Sequence, residues 1–216
     1  MKYQIIVFDW DGTLYDSGAY TVNCFQQAAR DTGIEAPEGY QIRDLMGLSL
    51  EEVLHRLMPK VLTEKREEFT KAYRALMEKC DFNRPFLFAG AEAVLKQLKD
   101  EGYSLAIATG KCRRGLDFDL KELDIGHFFA VTRCADETRS KPHPQMLLEI
   151  VDELMVERDR VLMVGDTEYD IQLAVNAKVD ALAVNYGMHD EQRLLKNSVK
   201  GCLSDISELP EWLMRI

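Results

Sequence analysis

The sequence predicts an α/β protein: a Rossmann-like parallel sheet core with helices on both faces and an α-helical cap domain inserted after the first strand. Three observations carry this expectation. Short apolar runs alternate with helical patterns from residue 91 onward, the spacing of βαβ units. Between about Gly18 and Arg84 the alternation stops, leaving helical periodicity and no convincing strand. Several apolar runs end in acids, a hydroxyl or glycine, where an open α/β sheet gathers its ligands.

The run Tyr3-Gln4-Ile5-Ile6-Val7-Phe8 reads as the first, buried strand. Helical patterns follow over Tyr20–Thr32, Leu50–Met58 and Thr63–Cys80. Turn-forming residues flank them, Asp16-Ser17-Gly18 before and Asn83-Arg84-Pro85 after, and these read as hinges. The expected division is therefore a core of residues 1–17 and 85–216 and a cap of residues 18–84. In the core, strands are expected at Ser104–Ala108, Ala130–Thr132, Val161–Val164, Ala181–Val184 and Gly201–Leu203. Helices are expected at Ala91–Glu101, Arg113–Leu123, Pro144–Met155, Tyr169–Ala177 and Glu191–Lys196.

At 216 residues the chain holds one sizeable domain, or a core with a smaller insert. Apolar residues at 46% and charged residues at 30% are those of a soluble globular protein. No apolar run approaches the length of a membrane span, and residues 1–8 lack a secretory signal pattern, so no membrane partner is expected. The five cysteines (Cys24, Cys80, Cys112, Cys134, Cys202) are scattered and odd in number, which fits a reducing, cytoplasmic setting rather than a disulfide framework or zinc site. A net charge of −10 is a poor match for nucleic acid. It still allows a small phosphorylated metabolite, provided the site is made positive locally by a metal, lysines and helix N-termini. A monomer or a dimer is compatible with all of this.

Chemistry concentrates at the strand ends. Asp9 and Asp11, in Asp9-Trp10-Asp11-Gly12-Thr13, would bring two acids to one crevice, where they repel unless a cation or proton intervenes. Mg²⁺ is the natural cation, a hard ion that takes oxygen ligands together with a substrate phosphate. Thr109 and Gly110 end the second core strand; a hydroxyl with free backbone N–H groups there makes a cradle for phosphate oxygens. Lys141, in Ser140-Lys141-Pro142-His143-Pro144, could place an ammonium beside the two aspartates, whereas His143 reads as a helix-start residue. Asp166 follows the fourth strand and is placed to complete a Mg²⁺ oxygen shell. Asp170, one helical turn later, can orient Lys141 or a metal-bound water.

The ordered set D-x-D-G-T, T-G, K-P and G-D-T-x-x-D resembles the haloacid dehalogenase-like hydrolase superfamily. The helical insert after the first motif is similar to subfamily I with a C1 cap, and the chain looks most like the phosphoglycolate phosphatase-like branch. The resemblance implies a Mg²⁺-dependent phosphatase acting on a small, phosphoglycolate-like phosphomonoester through an aspartyl-phosphate. It makes Asp9 the nucleophile, and has the Asp9 carboxylate, the Asp11 carbonyl and Asp166 hold the metal. Asp11 would protonate the leaving alkoxide and then deprotonate the attacking water. Thr109, Gly110 and Lys141 would hold the phosphoryl oxygens, with Asp170, Gly12 and Thr13 in support.

The stretch Met46-Gly47-Leu48-Ser49-Leu50 looks like the cap loop that faces the active site in this subfamily. Relatives that cleave carbon–phosphorus bonds carry a lysine where Leu50 stands, and β-phosphoglucomutases an arginine, so both activities are disfavoured, with Arg43 and Arg56 as possible substitutes. Inorganic pyrophosphate and sugar or nucleoside phosphates remain alternative substrates. An inactive binding protein would be expected to lack at least one of Asp9, Asp11, Lys141 and Asp166, all of which are present.

Overall fold

The computed structural model describes residues 1–79 and 86–216. Six strands form one sheet: β1 (Ile5–Phe8), β2 (Ser104–Thr109), β3 (Phe129–Cys134), β4 (Val161–Gly165), β5 (Asp180–Val184) and β6 (Cys202–Leu203). All pair in parallel, in the order β3-β2-β1-β4-β5-β6. β1 is buried along its whole length, as expected of a central strand covered on both faces. Its register aligns Phe8 with Ile107 on one side and Val164 on the other, and β2 runs two residues and β4 one residue beyond that level.

Side chains alternate across this sheet. Ile6, Phe8, Leu105, Ile107, Leu162 and Val164 face a core shared with α5 (Ala91–Asp100), α6 (Arg113–Glu122) and α10 (Leu209–Met214). Ile5, Val7, Ala106, Ala108, Val161 and Met163 face the opposite core, covered by α7 (Gln145–Leu154) and α8 (Glu168–Ala177). The parallel sheet with helices on both faces is the architecture the sequence predicts.

Between β1 and α5 lie α1 (Gly18–Asp31), α2 (Gly39–Asp44), α3 (Leu50–Leu57) and α4 (Thr63–Met77). They share a third apolar cluster, with Phe25, Ile42, Leu54 and Phe69 at its centre and Tyr169 of α8 packed into it. The helix expected over Thr63–Cys80 ends at Met77. Cys80 and the hinge Asn83-Arg84-Pro85 lie outside the described residues. The short helices α2 and α10 have no counterpart in the sequence reading. At six residues each they show too little periodicity to register, and α2 depends on a local cap in which Glu38 and Gln41 exchange side-chain and backbone hydrogen bonds. The helix expected at Glu191–Lys196 is one turn, α9 (Glu191–Leu194), capped by Asp190.

Phe69 is fully buried and packs on Phe25 with ring centroids 4.7 Å apart. Phe69→Ala is expected to lower the unfolding free energy by about 3–5 kcal/mol, measured by urea denaturation followed by far-UV circular dichroism.

Candidate active site

β1 ends at Phe8 and delivers Asp9 to the carboxyl edge of the sheet, where it is 1% exposed. One carboxylate oxygen, Oδ1, accepts from its own chain at Trp10 N (2.7 Å) and lies 2.9 Å from Lys141 Nζ. The other, Oδ2, is buried and has no hydrogen-bond partner. β4 delivers Asp166, also fully buried. Its Oδ1 accepts from Thr13 Oγ1 (2.7 Å) and its Oδ2 from Met188 N (2.8 Å).

Asp170 sits on the first turn of α8 and serves two ends. Its Oδ2 accepts from Thr167 N (3.0 Å) and Thr167 Oγ1 (2.7 Å), closing the capping box of α8. Its Oδ1 takes Lys141 Nζ at 2.5 Å. Lys141 is thus a buried ammonium clamped between Asp9 and Asp170. Oxygens of Asp9, Asp166 and Asp170 all lie within 4.8 Å of one another.

Electrostatics follow from that crowding. Burial, then the neighbouring Asp170 carboxylate, pushes Asp166 up from 3.8 to about 7. Burial and Asp170 likewise hold Asp9 well above the carboxylate range, although Lys141 opposes them. Burial acts to lower Lys141, but Asp170 and Asp9 more than reverse it and keep it charged.

The acid cluster fits a divalent cation. Asp9 Oδ2 is an orphaned buried acceptor among three carboxylates that one ammonium cannot neutralise. Asp9 and Asp166 offer oxygens to a hard ion, while both Asp170 oxygens are committed to Lys141 and Thr167. Gly12, at φ +90°, lets the chain turn tightly against Asp166; a Cβ there would come within 2.2 Å of Asp166 Oδ2.

The structure places the Asp11 carboxylate apart from this cluster. Its Oδ1 lies 3.3 Å from Lys111 Nζ, which also reaches Asp119 Oδ2 at 3.0 Å. Asp119 in turn accepts from Trp10 Nε1 (3.1 Å), so the residue between the two aspartates is tied to α6. The Asp11 and Asp119 charges outweigh burial and hold Lys111 above its ordinary value. Lys111, Asp119 and the Met188 backbone amide escaped the sequence reading. A signal existed for Asp119, an acid on the i, i+3, i+4 stripe of α6 that otherwise buries Leu116 and Leu120.

Asp9, Asp11, Thr109 and Gly110 line a cavity of about 240 Å³ between the sheet edge and α1–α4. Met46, Gly47, Leu48, Ser49 and Leu50 line it from the other side, whereas Arg43 and Arg56 do not. Arg56 pairs instead with Glu52 and lies over the Tyr169 ring. Gly110 is where the two halves meet, since a Cβ on it would approach the Gly47 and Leu48 carbonyl oxygens to 2.6 Å. Ser49 N donates to Ser140 Oγ (2.8 Å), and Arg193 pairs with Asp44. His143 Nδ1 accepts from Gln145 N at the start of α7, a structural role.

Buried acids and a lysine converge at the carboxyl edge of an open parallel α/β sheet, the place where such sheets gather their ligands. Residues 6–184 match the model of the haloacid dehalogenase-like hydrolases, and the chain belongs to that family. It is 29% identical over 194 residues to the probable phosphatase IndB of Dickeya dadantii, covering 88% of this chain and 84% of that one. It is 27% identical to a phosphoglycolate phosphatase of Vibrio cholerae over 216 residues, 96% of each chain. A crystal structure from Bacteroides fragilis, assigned to the haloacid dehalogenase-like hydrolases, superposes with a TM-score of 0.88 at 26% identity, covering 96% of this chain and all of that one.

Asp166 in the metal-free protein holds its proton up to about pH 7, whereas its ordinary value is 3.8. Its stabilising contribution is therefore complete below about pH 4 and lost as pH rises through about 7. A divalent cation favours the ionised cluster, so the rise in Tm on adding Mg²⁺ should be larger at pH 8 than at pH 5.5, measured by scanning fluorimetry. Gly110→Ala should push the 47–48 carbonyls off the sheet edge, raising proteolytic cleavage within residues 40–50 while far-UV circular dichroism stays unchanged.

Proposed function

We propose that this phosphatase hydrolyses a small phosphomonoester with Mg²⁺ through an aspartyl-phosphate on Asp9. The observation that carries the reading is the asymmetry of the Asp9 carboxylate: one oxygen is pinned by Lys141 and Trp10 N, and the other is buried without a partner beside Asp166. Asp9, Asp166 and the Asp11 carbonyl are the groups that would hold the ion. When bound, Mg²⁺ supplies charge that offsets the repulsion between a carboxylate and a phosphate dianion.

The chain's own residues divide the work. An oxygen of Asp9 attacks phosphorus in line, the bond from phosphorus to the leaving oxygen breaks, and Asp11 gives that oxygen its proton. Asp11 then takes a proton from water, which attacks the same phosphorus and releases phosphate with the Asp9 carboxylate restored. Lys111, 3.3 Å from Asp11 Oδ1, orients that acid. Thr109, Gly110 N–H and Lys141 hold the transferring oxygens, and Lys141 owes its position to Asp170. Gly12 and Thr13 support Asp166.

Helices α1–α4 act in this reading as the cap over residues 18–84, opening for substrate and closing to exclude water, on a core of residues 1–17 and 85–216. The cap side of the cavity supports it. No helix among the described residues is long and apolar enough to cross a membrane. With a net charge of −10, we take the partner to be a small phosphorylated metabolite rather than nucleic acid or a membrane, met in the cytoplasm by a monomer or dimer.

The test is phosphate release from a panel of phosphomonoesters and pyrophosphate, with phosphoglycolate included, in Mg²⁺ and in chelator. Asp9→Asn is expected to reduce the rate by about a thousandfold or more, and chelator to abolish it. Release that survives Asp9→Asn overturns the nucleophile, and release that survives chelator overturns the metal.

A further inference from the structure

Resting on that phosphatase reading and going beyond it, we propose that the leaving-group end of the cavity takes an uncharged alcohol with an apolar body. An anionic leaving group, such as glycolate or a second phosphate, is selected against. The Lys111–Asp119 pair is the specificity device.

The walls supply the first half of the argument. Phe25, Ile42, Leu48, Leu50, Met77 and Phe118 line the cavity, with the hydroxyl-bearing Thr21 and Tyr73 among them. At about 240 Å³ the cavity approaches the lower end of small-molecule sites, about 300 Å³. A two-carbon acid would leave most of this apolar surface wet, whereas an alcohol with a hydrocarbon portion removes it from water.

Charge supplies the second half. Among the described residues lining the cavity, the cations are Lys111 and Arg74. Lys111 could in principle grip an anion, but its ammonium is committed to Asp119 at 3.0 Å and Asp11 at 3.3 Å. Two carboxylates face one ammonium. Asp119 cannot relax into water, because its side chain is 5% exposed and also accepts from Trp10 Nε1. Arg74 lies exposed on α4, where solvent and salt screen it. Glu51 and Glu78 share the lining, and Glu78 is itself paired with Arg114. Among the described residues, an anionic leaving group would therefore shed its hydration shell beside apolar side chains and acids, where the buried cation of the lining, Lys111, is already shared by two carboxylates.

The test uses Asp9→Asn protein in Mg²⁺, which binds without turnover, and calorimetric titration with two esters of matched length, n-butyl phosphate and 3-carboxypropyl phosphate. Butyl phosphate is expected to bind at least tenfold tighter. Adding Asp119→Asn keeps an acceptor for Trp10 but removes one of the two carboxylates that share the Lys111 ammonium, and should shift the affinity ratio toward the carboxylated ester by at least tenfold. A purely structural role for Asp119 would weaken both esters and leave the ratio in place. Equal or tighter binding of the carboxylated ester with Asp119 present overturns the proposal, as does a ratio that Asp119→Asn does not move. Failure to bind either ester overturns it too. Failure of the phosphatase reading itself is seen separately, as wild-type protein that releases phosphate from nothing on the panel.

Discussion

Lys141 sits wholly buried between Asp9 and Asp170, and much of the active-site edge is arranged around that ammonium. A buried lysine is costly unless paired, and three buried carboxylates are costlier still. Three negative charges and one positive leave the cluster with two in excess. Burial and mutual repulsion therefore raise Asp9 and Asp166 above the ordinary carboxylate range. A single divalent cation would bring the count to zero. The same deficit that makes the cluster unfavourable by itself makes it receptive to a cation.

The scaffold holds this arrangement by using structural hydrogen bonds twice. Asp170 caps α8 with one oxygen and clamps Lys141 with the other. Asp166 is fixed by Thr13 from the loop after β1 and by Met188 N from the loop after β5, so three neighbouring strand ends are tied to one carboxylate. Gly12 permits the close approach that the first of these contacts requires. Fold stability and site geometry are thus not separable at these positions.

A second charged group, Lys111 with Asp11 and Asp119, stands beside the first and faces the cavity. Trp10 links the two, since its backbone N–H donates to Asp9 and its indole N–H to Asp119. The transferring phosphoryl and the leaving group would therefore meet environments of different charge. The first holds three buried carboxylates around one ammonium. The second is one ammonium shared by two carboxylates, beside apolar side chains of the cavity lining.

The sequence by itself determined the features that depend on short-range order. Strand and helix periodicity, and acids placed directly after apolar runs, located Asp9, Thr109, Asp166 and the helical segment between β1 and α5. A strand's end and its next residue are set by backbone geometry a few residues long. Tertiary structure alone decided which of those groups touch. Asp119 is eight residues beyond Lys111 and 109 beyond Trp10, and it meets both only because α6 packs on the sheet. Met188 reaches Asp166 only because β5 lies beside β4. That the Asp11 carboxylate turns to Lys111 rather than to the acid cluster was decided in the same way, since charge pairing in a buried site depends on distances of a few ångströms that no spacing along the chain encodes.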